Sequence, residues 1–184
     1  MQAESPRRAQ LQREIRDYLR QIGFTAPLGV FAVQGNCDGG SWEPVFAGLP
    51  VTAVDRTRSF QAGELELTCL AFGDSFDANL AIPASDPSRY HVVLGHSPNY
   101  ALGRIDADLL LAGHTHGGQV RLPWLGPLVT LSRVPRSWAA GLTEMPGGAR
   151  LLVSRGIGME RGPAPRLRFL CRPELVFIDL EPQP

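Results

Sequence analysis

Two histidines one residue apart, His114 and His116, close the apolar run Leu109-Leu110-Leu111-Ala112-Gly113 and are followed by Gly117-Gly118. Neutral imidazole is the commonest protein metal ligand. In an extended segment side chains two apart share a face, so this spacing predicts both rings aimed into one pocket with Thr115 turned away. The flanking glycines let the chain turn sharply and let a ligand approach the backbone. The apolar run reads as a buried strand of a parallel sheet, which argues against two histidines on an exposed hairpin.

The same plan occurs twice more. An apolar segment over residues 28–33 ends in Gln34-Gly35-Asn36-Cys37-Asp38-Gly39-Gly40, and one over residues 90–94 ends in Gly95-His96. With residues 108–112 leading to Gly113-His114, three strands each deliver a glycine and then a side chain able to bind metal. In open α/β sheets ligands bind beyond the carboxyl ends of the strands, so Asn36, His96 and His114 can converge although they are far apart in the chain. His91 opens the second of these strands and is read as structural or exposed.

The elements that must position these residues follow from periodicity. Leu11, Ile15, Leu19 and Ile22 recur at helical spacing, and Ser5-Pro6 is a capping pair, which predicts a helix over residues 5–22 whose apolar face covers something. Segments 56–61 and 64–72 read as strands paired around Ala62-Gly63. After the double histidine, residues 119–122, 138–144, 150–154 and 175–180 read as short strands between Pro/Gly turns. The expected architecture is one layered α/β domain over residues 1–184 with a mixed second sheet.

Composition narrows the function classes. Charge is balanced, with 18 basic and 18 acidic side chains, and every basic residue is arginine, which reports coding bias. No basic block marks a nucleic-acid partner. Cys37, Cys69 and Cys171 are odd in number and scattered, which predicts free thiols and a reducing compartment. No stretch is long and apolar enough to span a bilayer, and the polar start carries no signal peptide, so the expectation is a cytoplasmic chain. The segment Trp124-Leu125-Gly126-Pro127-Leu128 with Arg133, Arg136 and Trp138 mixes aromatic and basic groups beside the site. Such a surface could meet a lipid phosphate or the membrane interface, or pack as a loop.

Gly35-Asn36-Cys37-Asp38, Gly95-His96 and Gly113-His114-Thr115-His116 together resemble the last three motifs of the calcineurin-like metallophosphoesterases. The continuation Gly117-Gly118-Gln119-Val120-Arg121-Leu122-Pro123, Arg155-Gly156-Ile157-Gly158 and residues 168–175 resemble one bacterial branch of that superfamily. The resemblance implies an α/β/β/α sandwich, here incomplete, carrying a two-metal phosphoesterase. By the matching positions Asn36, His96 and His114 would hold the second ion and His116 the first, with manganese, iron or zinc as the divalent metals. Two cations about 4 Å apart can clamp a phosphoryl group and activate a bridging water, so the implied reaction is phosphodiester hydrolysis by metal-bound hydroxide on a phosphate ester, lipid-linked or soluble. Mixed nitrogen and oxygen ligation suits borderline metals.

Two departures bear on activity. The family opens with Asp-x-His and Gly-Asp-x-x-Asp, and neither precedes Gly35. Gly73-Asp74-Ser75-Phe76-Asp77 fits the letters but follows the asparagine motif, so it is not assigned. The chain therefore reads as a carboxyl-terminal portion, with residues 1–22 as its leading helix, or as a short gene that kept half a site. Cys37 stands where many members carry a histidine that protonates the leaving group. A thiol can also donate a proton, and a small filler is the alternative role. Asp38 either orients a metal-bound water or caps its turn. The alternative to a phosphoesterase is an inactive metal- or phosphate-binding remnant acting as an interaction module. A mononuclear zinc hydrolase is disfavoured because two imidazoles and a neutral amide bind zinc weakly.

Overall fold

The computed structural model describes residues 6–39, 42–83, 86–159 and 167–181. Ser5, the expected helix cap, and Gly40 lie outside the described residues. The fold is α/β with mixed sheets and few helices. Its centre is a pair of parallel strands, β6 (Tyr90–Leu94) and β8 (Leu109–Ala112). They are flanked in parallel by β4 (Leu65–Cys69) and β12 (Arg150–Val153). The antiparallel edges are β3 (Arg58–Ala62) and β11 (Gly141–Glu144), giving the order β11-β12-β8-β6-β4-β3.

The apolar runs of β6 and β8 are accounted for by burial. Val93, Leu110, Ala112, Leu151 and Val153 pack with Leu70 and Tyr100 in one core. Tyr100 is fully buried and its hydroxyl lies 2.9 Å from the Leu111 carbonyl and 3.1 Å from that of Val93, so the ring bolts the 3₁₀ turn Pro98–Leu102 onto the central strands. The register Leu94↔Leu111 continues beyond the strand ends, where the Gly95 amide donates to Leu111 (3.0 Å) and the Gly113 amide to His96 (2.9 Å). That pairing sets His96 beside His114.

β1 (Val30–Val33) and β2 (Val51–Val54) form a separate parallel pair. Asn36 therefore reaches the site from a different sheet than the two histidines, a correction to the expectation of one shared sheet edge. Two further two-stranded pairs are β5 (Ala81–Ile82) with β7 (Arg104–Ile105), and β9 (Arg121–Leu122) with β10 (Gly126–Pro127). The short helix α2 (Phe72–Phe76) follows β4.

Two other expectations change. Helix α1 (Pro6–Gln21) forms, but none of its residues is buried, and Leu11, Ile15 and Tyr18 face solvent. Residues 175–180 form no strand, and Leu175 and Phe177 are exposed. Among the described residues no helix is long and apolar enough to cross a membrane.

Candidate metal centre

β8 stops at Ala112, and the chain beyond it is a turn. His114 (φ 65) and His116 (φ 49) both occupy the left-handed region, Thr115 is right-handed, and a 3₁₀ turn runs over His116–Gly118. The alternation expected of an extended segment is thus absent. Thr115 does turn away, but for another reason: its buried hydroxyl donates to the Ala139 carbonyl at 2.7 Å and accepts from the Gly117 amide at 3.3 Å. Left-handed non-glycine backbone is sparsely populated, and its concentration at both histidines marks a constrained site.

The turn delivers His114 to its partners. His96 Nε2 lies 2.8 Å from Asn36 Oδ1 and 3.2 Å from His114 Nδ1. His114 Nε2 is 3.1 Å from the Leu131 carbonyl, which can only accept, so Nε2 carries the proton and Nδ1 offers its lone pair inward. Burial, with smaller contributions from His114 and His116, pushes the His96 pKa down to about 4, so this ring is neutral near pH 7. Asn36 Oδ1 and His114 Nδ1 thus both converge on His96 Nε2, and the three atoms can each offer an electron pair to a metal once His96 moves its proton to Nδ1. Ligand atoms about 2.1 Å from a common ion lie ~3.0–3.4 Å apart in octahedral or tetrahedral geometry, so these spacings are near what one divalent ion requires.

The two imidazoles are half-buried against aromatic rings, while Asn36 is exposed. Phe76 from α2 lies edge-on to His114, with ring centroids 5.0 Å apart, and Phe72 and Phe76 both approach His96. Gly35 is a close-approach glycine, since a Cβ there would fall 2.8 Å from His96 Cε1. Sequence reasoning missed both phenylalanines and the Leu131 carbonyl. The i, i+4 aromatic spacing of α2 was the visible signal for the first.

Comparison with known proteins places the chain, though not its individual site residues, among relatives. Over 101 residues the chain is 37% identical to the phosphodiesterase YaeI of Escherichia coli, covering 53% of this chain and 35% of that protein. It is 31% identical over 115 residues to the UDP-2,3-diacylglucosamine pyrophosphatase LpxG of Chlamydia trachomatis, covering 58% of this chain and 34% of that protein. A metallophosphoesterase of Aquifex aeolicus aligns over 186 residues at 32% identity, covering 90% of this chain and 66% of the relative. The chain belongs to the calcineurin-like metallophosphoesterases. It spans about a third of the length of YaeI and LpxG. No family model and no solved structure matches it.

Within this metallophosphoesterase chain the remaining candidate residues separate. His116 Nδ1 lies 3.4 Å from the Arg168 guanidinium, and the His116 carbonyl accepts from Cys171 Sγ at 3.1 Å. Arg168 also donates to the carbonyls of Arg155 (2.7 Å), Gly156 (3.2 Å) and Gly158, so it ties the carboxyl-terminal segment to the double-histidine turn. Among the described residues no three His, Cys, Asp or Glu side chains gather at metal-binding distance. The inner cluster is two imidazoles and an amide, with no carboxylate.

Asp38 Oδ2 accepts from the Gly35 amide at 2.6 Å, which is the turn-capping role. Cys37 is exposed on the same turn and in no disulfide; Cys69 and Cys171 are buried, and burial pushes the Cys69 thiol up to about 12. Asp74 accepts from the Thr57 hydroxyl, and Thr57 accepts from the Ala71 amide at 2.8 Å, so this acid secures the start of α2. His91 is a satisfied core histidine, held 2.8 Å from Thr68 Oγ1 and 2.7 Å from the Asp106 carbonyl.

Proposed function

We propose that this chain is the carboxyl-terminal, metal-holding part of a metal-dependent phosphodiesterase whose substrate is a phosphate ester, lipid-linked in the first instance. The observation that carries the reading is the approach of Asn36 Oδ1 (2.8 Å) and His114 Nδ1 (3.2 Å) to His96 Nε2 in a chain of this family. Asn36, His96 and His114 would hold one divalent transition metal, manganese, iron or zinc, with His116 contributing to a second. A bound ion would supply Lewis-acid polarisation of the phosphoryl oxygen and lower the pKa of water.

The chain's own groups set up that chemistry. The Leu131 carbonyl fixes the His114 tautomer, burial keeps His96 neutral, and Phe76 packs edge-on against the His114 ring. Cys37 stands at the mouth as a proton donor to the departing oxygen, and Asp38 orients that turn. The carboxylates that complete a two-ion site would come from sequence beyond these residues. The uncovered apolar stripe of α1 and the unpaired segment 175–180 support this, because both are surfaces that further layers of an α/β/β/α sandwich would bury.

A second reading, a metal- or phosphate-binding remnant without catalysis, is favoured by one contact. His116 faces the Arg168 guanidinium, a cation, where a first metal would need an anion nearby. Metal analysis and turnover separate the two. The purified chain should bind manganese or zinc, and His114→Ala should lose it; unchanged metal content in that variant refutes the site. Hydrolysis of an aryl phosphodiester by this chain, compared with a version extended upstream, then decides between enzyme and remnant.

A further inference from the structure

The loop that fixes the His114 tautomer carries several exposed apolar side chains. Between Leu109 and Thr143 the chain has Arg121, Arg133 and Arg136 and no aspartate or glutamate, although acids and bases are equal in number overall. Within that stretch β9 and β10 form a hairpin whose tip is Pro123-Trp124-Leu125. Trp124 is 105% exposed at φ 60, a left-handed conformation that is strained for a bulky side chain, and Leu125 and Val129 are about as exposed as each other, at 61% and 60%.

The tip is fastened to the metal-ligand pole. A Cβ on Gly118 would fall 2.2 Å from Pro127 Cβ, so β10 lies directly on the double-histidine turn. Asn99 Oδ1 accepts from Ser132 Oγ (2.6 Å) and from the Arg133 amide (2.8 Å), holding the loop next to Leu131. The 3₁₀ turn Arg136–Trp138 packs beside β10. An object that engages the Trp124 tip is thereby held at the His114 side of the molecule.

We propose that the Trp124 hairpin is an interfacial anchor that seats this pole of the chain on an anionic lipid bilayer. Tryptophan is favoured at the water–hydrocarbon boundary, and arginines near the surface are attracted to acidic headgroups. A second copy of the chain fits less well, since a two-fold contact would set the same arginines against each other. A protein partner fits less well too, because a convex three-residue tip offers far less than the ~800 Å² per side of a stable protein interface. Resting on the phosphodiesterase reading, the anchor further assigns the substrate to phosphoesters carried by bilayer lipids.

The test is flotation of the purified chain with vesicles of phosphatidylcholine alone or mixed with phosphatidylglycerol. The chain should bind the anionic vesicles. Trp124→Ala should weaken binding at least about tenfold, ~1.4 kcal/mol. Arg133→Gln with Arg136→Gln should erase the preference for phosphatidylglycerol, and added salt should mimic that loss. Metal content and circular dichroism should stay unchanged in both variants. Absence of vesicle binding by the unaltered chain, binding indifferent to Trp124→Ala, or a dimer that Trp124→Ala converts to monomer overturns the proposal. Vesicle binding that persists in a chain shown to bind no metal would refute the phosphodiesterase reading and leave the anchor standing.

Discussion

Replacing Gly35 by alanine tests the site through a residue that holds no metal. Gly35 has ordinary negative-φ backbone, so alanine is not strained there for backbone reasons. Its new Cβ, however, would lie 2.8 Å from His96 Cε1 and 3.0 Å from His96 Nδ1, where ordinary contact begins at 3.4 Å. The ring must withdraw by about 0.6 Å, in a setting where Phe72 and Phe76 already pack against it, with ring centroids 6.5 and 6.0 Å away. Metal–ligand distances tolerate only about 0.2 Å, so the displaced Nε2 can no longer share an ion with Asn36 and His114 on the same terms. Loss of a supporting contact of this kind typically costs about 10–100-fold in metal affinity, or ~1.4–2.7 kcal/mol.

The assay is calorimetric titration with manganese and zinc. Gly113→Ala is the matched control in the same site, because its Cβ would meet nothing closer than the His96 carbonyl at 3.9 Å. Gly35→Ala should weaken binding while Gly113→Ala does not, with both variants folded. Equal affinity in the two would falsify the geometry of the Asn36–His96–His114 cluster.

Thr115→Val removes a buried hydroxyl from the Ala139 carbonyl, itself in a fully buried residue, and should cost roughly 1–2 kcal/mol and a few degrees of Tm, with weaker metal binding as the turn loosens. An unaltered melting curve would show that the turn is held by other contacts. Glu174 receives the Arg155 amide and Nε, each at 2.7 Å; burial opposes its ionisation, but those hydrogen bonds and the guanidinium outweigh it and hold the carboxyl below its usual range. A depressed carboxylate stabilises the fold above its unfolded pKa and loses that contribution as pH falls through the folded one. Proteolysis of the carboxyl-terminal segment should accordingly accelerate below about pH 4. Glu174→Gln should show the faster cleavage already at pH 7, and identical cleavage of the two proteins at pH 7 would remove the pair from the account.

Much of the fold was legible in the sequence. The span of β6 matched the apolar run from Tyr90 to Leu94 and β8 fell within residues 108–112, because continuous apolar strands bounded by glycine have few alternatives to burial in a parallel sheet. Pairing of β3 with β4 followed from the Ala62-Gly63 turn. Segment 175–180 has the composition of a strand, but a strand needs a neighbour, and composition does not say whether one is present.

The sequence by itself determined the donor types, their glycine-led placement at strand ends and the resemblance that they carry, since these depend on residue identity and spacing alone. Only the tertiary structure decided which donors meet. His114 and His116, neighbours on paper, part company because the strand ends two residues early and both rings leave a left-handed turn, one toward His96 and Asn36, the other toward Arg168. The tautomer of His114 likewise depends on a carbonyl 17 residues away, a contact that no local pattern encodes. Side-chain direction at a turn is fixed by backbone dihedrals and distant packing, and those exist only once the sheet has formed.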